Sequence, residues 1–191
     1  MEETTITETN EVTSVDQLDL IPFNDPLLKR KPKAFDFEKD DAKDISKRLF
    51  DKMYDLGGVG LSANQVGLDM AVFVIGDGQV DGMAKAFFNP EILGIGDEKE
   101  SMKEGCLSFP GLWLMVSRPK QAMIKYYDEE GEEHIETYEG VTSRVIQHEY
   151  DHMLGLNFTM RVTKLKLDRA LKAIDKKVKK YQRAQARAKN L

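Results

Sequence analysis

The stretch VTSRVIQHEYDHMLG, residues 141–155, decides how this chain is read. Residues 141–154 have the length of a helix, and Gly155 is the residue type that ends one. Inside it lies His148-Glu149-Tyr150-Asp151-His152, an H-E-x-x-H pattern. A spacing of four on a helix puts both imidazoles on one face, one turn apart, where both reach a single metal ion. Glu149 then sits beside the metal's open position, placed to handle a proton. The pattern marks a metal-dependent hydrolytic site without naming one reaction.

The third ligand separates the readings. In the metzincin pattern a Gly follows the second His by three residues and a His follows three later. Gly155 is present, but Phe158 holds the next place and cannot bind metal. The remaining histidine, His134, lies in a charged hairpin and is expected to be ordinary surface. A distant Glu of the thermolysin kind stays open. The single cysteine, Cys106, stands in Glu104-Gly105-Cys106-Leu107-Ser108, expected at the start of a strand. A lone Cys is commonly a small buried hydrophobe; here it accompanies two histidines at metal spacing.

Upstream, Ile45, Leu49, Met53 and Leu56 recur at helical spacing over 41–56, and Gly57-Gly58 stops that helix. The middle of the chain reads as strands at 70–75, 86–95, 112–116, 122–127 and 133–138, with Asp128-Glu129-Glu130-Gly131 as a hairpin turn. A short strand is expected over 16–23, before a stretch in which Pro22, Pro26 and Pro32 exclude a long helix. A third helix begins near Thr163, with Leu165, Leu167, Leu171, Ile174, Val178 and Tyr181 as its apolar positions, and frays past Ala184. A helix, many strands, then helices, without β-α-β alternation, predict an α+β fold. Its mixed, mostly antiparallel sheets surround a central metal-binding helix, with N- and C-terminal helices outside. The expected organisation is an acidic loose arm over 1–15, a single catalytic domain over 16–184 and a frayed basic tail over 185–191.

The chain has 191 residues and a net charge of −5. Residues 161–191 hold twelve Lys or Arg against two acids, a balance of +10, so the remainder carries −15. One cysteine permits no internal disulfide, which suits a reducing compartment. No run approaches the roughly 18 apolar residues of a membrane span, and residues 1–10 have no signal-peptide pattern. The expectation is a cytoplasmic protein.

A third island is Gly58-Val59-Gly60-Leu61-Ser62-Ala63-Asn64-Gln65, either a helix stop leading into a strand or a site where glycine lets backbone approach a substrate. Together, GVGLSANQ, EGCLS and HEYDH resemble, in this order, the three motifs of the peptide deformylase family. The resemblance runs from about Asp16 to about Leu171 and is to the form without a large insertion between the first two motifs. Ser62 stands where that family usually has alanine, and Trp113 where many bacterial members have an arginine near the substrate mouth; Arg118 matches a second family arginine.

The resemblance implies removal of the formyl group from N-formylmethionine on nascent polypeptides, releasing formate. It implies Cys106, His148 and His152 as ligands of one divalent metal, typically Fe(II), with zinc, nickel or cobalt able to take its place. Glu149 would transfer the proton, and the Gln65 amide and Leu107 N–H would stabilise the oxyanion. Val59, Met102, Val141, Val145 and the stem of Arg144 would form the methionine pocket. Backbone groups of Val59, Gly60 and Gly105 would pair with the peptide like an added strand. Glu104 and Arg118 are expected to form an ion pair bracing the Cys106 loop. The basic C-terminal helix has two readings, a solvated face or contact with ribosomal RNA. Two rival functions are a zincin-type endopeptidase and a non-catalytic ribosome-binding relative.

Overall fold

The computed structural model describes residues 18–76 and 84–188. The acidic arm expected over 1–15 lies outside the described residues. The chain forms α1 (Ala42–Asp55), β1 (Gly60–Ser62), β2 (Val72–Ile75), β3 (Lys85–Ile95), β4 (Lys99–Glu104), β5 (Leu114–Pro119), β6 (Gln121–Tyr127), β7 (Glu133–Glu139), α2 (Gly140–Met153) and α3 (Lys164–Ala188). Five strands make one sheet in the order β1-β2-β3-β6-β7, and β4 and β5 make a separate ribbon. All these pairings are antiparallel; one isolated parallel bridge joins Lys33 and Met70. The fold is α+β, as the pattern predicts.

The alternation of side chains along β2 explains why two helices sandwich the sheet. Val72 and Val74 face α1, whose Ile45, Leu49 and Met53 are buried with them. Phe73 and Ile75 point the other way, into a cluster with Phe87, Ile124 and α2's Ile146 and Met153. Asp41 caps α1 by accepting from the backbone N–H of Lys43 and Asp44. α2 ends at Gly155, whose φ of +69° suits glycine, and a Cβ there would come within 2.6 Å of the Arg30 backbone. α2 thus lies between the large sheet and the β4–β5 ribbon.

Three expectations need correction. Residues 18–23 are not a strand: Ile21 N–H makes one bond to Gln65 O, and Pro22 has no N–H to extend the pairing (Asp16 and Gln17 lie outside the described residues). β1 and β4 are strands that no apolar pattern announces. Because β4 ends at Glu104, Cys106 leaves a strand rather than entering one. The third helix runs on to Ala188, beyond the expected fraying at Ala184.

Candidate metal centre

Cys106, His148 and His152 come together. One donor atom from each lies within 4.8 Å of the others. The two rings project from adjacent turns of α2, with centroids 5.6 Å apart, and Cys106 Sγ lies 3.5 Å from His152 Nε2. Both histidines are buried and the cysteine is partly so. His134 takes no part: it bonds Asp128 at 2.6 Å and stacks on Tyr126, in the β6–β7 hairpin.

The carboxylate of Glu104 organises this centre. It accepts from Arg118 Nε at 2.8 Å and Nη2 at 2.9 Å, from Arg144 Nη1, and lies 3.2 Å from His148 Nδ1. The expected Glu104–Arg118 pair is therefore present and buried. Burial pushes the Glu104 carboxyl up, but His148 and Arg118 prevail and hold it at about 2. Burial also opposes charge on His148, yet its bonds to Cys106 and Glu104 lift it to about 10. His152 goes the other way: burial, then His148 and Arg118, bring it down to about 3. One neutral ring, one ring that a proton would occupy and a thiol side by side are a donor set a divalent cation fits, since the cation replaces that proton. The carboxylate on Nδ1 of His148 is a usual partner of a ligating imidazole.

Glu149, next to His148, is 4% exposed. Burial pushes its carboxyl up, against the pull of His148 and Ser62. Gly60 makes room for it: a Cβ there would sit 2.5 Å from Glu149 Oε1. Gln65, on the turn after β1, donates through Nε2 to Ser108 Oγ at 3.0 Å and approaches Cys106 Sγ at 3.4 Å. The Leu107 backbone N–H has no hydrogen-bond partner among the described residues. The centre therefore combines three donors, a buried carboxylate, an amide donor and an unpaired N–H.

The other expected positions are more dispersed. Val59 and Val141 are exposed, Met102 and Val145 are half-buried, and the Arg144 head is committed to Glu104 and to the backbone oxygens of Val116 and Glu100. Trp113 is exposed, its ring packed on Gly105 so closely that a Cβ there would come within 3.1 Å, with Lys103 Nζ 5.2 Å from the ring centroid. Three residues were not singled out from the sequence, and a fourth, Ser62, was noted only as a departure from the pattern it resembles. Asp151 pairs with Arg118 at 2.9 Å and with Arg161; Asn64 donates to His152 O at 2.9 Å; Ser62 and Ser108 bond Glu149 and Gln65. The two acidic letters of HEYDH, Glu149 and Asp151, were a readable signal for the first of these; Asn64 and Ser108 carried none.

Residues 17–168 match the family described as Polypeptide deformylase. A peptide deformylase of Christiangramia forsetii is 39% identical over 163 residues, covering 78% of this chain and 83% of the relative. The crystal structure of peptide deformylase from Thermotoga maritima is 37% identical with a TM-score of 0.71, covering 76% of this chain and 97% of that one. That from Synechococcus elongatus is 33% identical with a TM-score of 0.77, covering 85% and 90%.

Proposed function

The chain belongs to the polypeptide deformylase family, and from that premise we propose that Cys106, His148 and His152 hold its divalent metal while Glu149 moves the proton. It is a hydrolase that removes the formyl group from an N-terminal methionine and acts on formylated nascent peptides. The convergence of one thiol from a loop and two imidazoles from one helix turn carries the assignment. A bound divalent cation polarises the formyl oxygen and lowers the pKa of water towards neutrality. Glu149, at the edge of the donor cluster, takes the proton of the attacking water and returns it to the departing amine. Gln65 Nε2 and the Leu107 N–H face the developing oxyanion; losing one such donor typically costs about 3–4 kcal/mol. Glu104 and Arg118 hold the Cys106 loop against α2. Val59, Met102, Val141, Val145 and the Arg144 stem take the methionine side chain, and the Gly60 and Gly105 backbone pairs with the peptide. The rival readings, a zincin-type endopeptidase and a non-catalytic ribosome binder, are not favoured by these similarities.

The Glu149→Ala variant tests the mechanism. Deformylation of formyl-Met-Ala-Ser should collapse while metal content stays at the wild-type level; an undiminished rate would exclude Glu149 as the proton carrier.

We infer ferrous iron as the native metal from the family resemblance, with zinc, nickel or cobalt able to take its place; the mixed thiolate and imidazole set suits Fe(II) and zinc alike. Metal analysis of anaerobically purified protein decides this. No helix among the described residues is long and apolar enough to cross a membrane. A cytoplasmic catalytic domain over 16–184 is part of the same proposal. The basic helix α3 is proposed to meet ribosomal RNA. Its Leu167, Ala170 and Ile174 pack on the ribbon's cluster, and from Asp175 to Arg183 each side chain is exposed. Phosphate neutralisation by such a face weakens steeply with salt. Truncation after Lys164 should reduce ribosome binding and spare activity on short formyl peptides; equal binding by the truncated form refutes this contact.

A further inference from the structure

Among the described residues, Glu149 has one side-chain hydrogen-bond partner, Ser62. The Ser62 hydroxyl donates to Glu149 Oε2 at 2.8 Å and lies 3.3 Å from the Glu149 backbone oxygen. Ser62 is fully buried and ends β1, where it pairs with Phe73 in the middle of β2. The hydroxyl is thus carried by the large sheet, whereas Glu149 is carried by α2. Gly60, two residues earlier and so on the same side of β1, leaves space where Oε1 lies. One carboxylate oxygen is therefore tied to the sheet, and the other has no donor among the described residues.

We propose that Ser62 is a positioning residue for the reaction: by holding Oε2 of Glu149 it presents Oε1 for proton transfer. This rests on the reading of Glu149 as the proton carrier. A buried carboxylate without this bond turns about its terminal torsions, which are broad for Glu. Proton transfer needs donor and acceptor within hydrogen-bond reach, and misplacement by 1 Å costs up to about 10²-fold in rate. The Ser62 backbone N–H makes a second, separate bond, donating to Gln65 Oε1 at 2.9 Å. That bond does not use the hydroxyl and survives in a Ser62→Ala variant; the hydroxyl also completes a capping box with the Gln65 backbone N–H, so the comparison with a Glu149→Ala background is what separates an effect through Glu149 from one through Gln65.

The test is a double-mutant cycle on the metal-loaded full chain, with formyl-Met-Ala-Ser as substrate and metal content measured on each sample. Ser62→Ala should lower kcat about tenfold, with KM within about twofold of wild type and metal content unchanged. In a Glu149→Ala background the same substitution should have no further effect, because the group it positions is gone. A wild-type kcat for Ser62→Ala, a change confined to KM, or an equal fall in both backgrounds overturns the proposal. Should Glu149→Ala itself run at the wild-type rate, the functional reading of Glu149 fails; a collapsed Glu149→Ala with an unaffected Ser62→Ala fails only the role of Ser62.

Discussion

Replacing Arg118 by leucine should destabilise the protein and loosen the metal centre together. Arg118 is 3% exposed and sits on β5. Its guanidinium makes three charged hydrogen bonds, two to Glu104 at 2.8 and 2.9 Å and one to Asp151 at 2.9 Å, and approaches Gln147 O at 3.4 Å. One side chain thereby joins the residue two before Cys106 to the residue one before His152. Removing one partner of a buried ion pair costs about 3–5 kcal/mol, because the stranded charge stays desolvated. Here Glu104 retains Arg144 and His148, and Asp151 retains Arg161. Those partners place the loss near the lower end, about 3 kcal/mol. For a chain of this size that corresponds to a fall in Tm of about 6–12 °C.

The same variant should bind its metal about 10- to 100-fold more weakly, the usual cost of removing a group that orients a ligand. Urea unfolding of the metal-loaded protein measures the first effect and chelator competition the second. A stability change below about 1 kcal/mol would refute the view that Arg118 compensates two buried carboxylates. A destabilised variant with unaltered metal affinity would refute its role in bracing the Cys106 loop.

Gly60→Ala should cut kcat sharply in a protein that still folds, since the new Cβ would meet Glu149 Oε1 at 2.5 Å and its Cγ and Cδ at 3.0 Å; a wild-type kcat would show that the carboxylate yields without consequence. Stability should also fall with acid through Glu104. Its folded pKa of about 2 lies below the ordinary 4.5, so its contribution is complete above about 4.5 and disappears as pH drops towards 2. Urea midpoints measured across that window should decline for the wild type and less steeply for Glu104→Gln; equal slopes would show that Glu104 does not carry the effect.

Apolar patterning predicted α1 and most of the large sheet, because those elements bury side chains at regular intervals, whereas α2 was read from its length and its terminating glycine. β4 escaped because KESMKE has one apolar residue, Met102, and its deeply buried Glu104 is held by Arg118, Arg144 and His148 rather than by hydrophobic contact. β1 was anticipated only as an unbounded strand after the helix stop, because three residues, the first of them a glycine, are too few to show a period. The three candidate donors were legible for different reasons: His148 and His152 by spacing alone, Cys106 only through the resemblance that joined it to them. Gly60 belonged to a stretch with two readings, a helix stop leading into a strand or a close approach to substrate; what sequence did not show is that a Cβ there would lie 2.5 Å from Glu149 Oε1.

What the sequence concealed shares one physical cause. Hydrophobic patterning reports which face of an element leaves water, and it does so only when the opposite face stays wet. α2 has sheet on one side and ribbon on the other, so its buried set includes Ser143, Arg144, Gln147, His148, Glu149, Asp151 and His152. Each such group must find a partner, and the partners are remote in sequence: Ser62 lies 87 residues from Glu149, Asn64 88 from His152, and Glu104 44 from His148. No local pattern encodes pairings over such distances. The polar residues that complete this centre are fixed by what the fold brings opposite them, and so the Ser62 hydroxyl, carried by a strand of the large sheet, meets the carboxylate of Glu149 on α2.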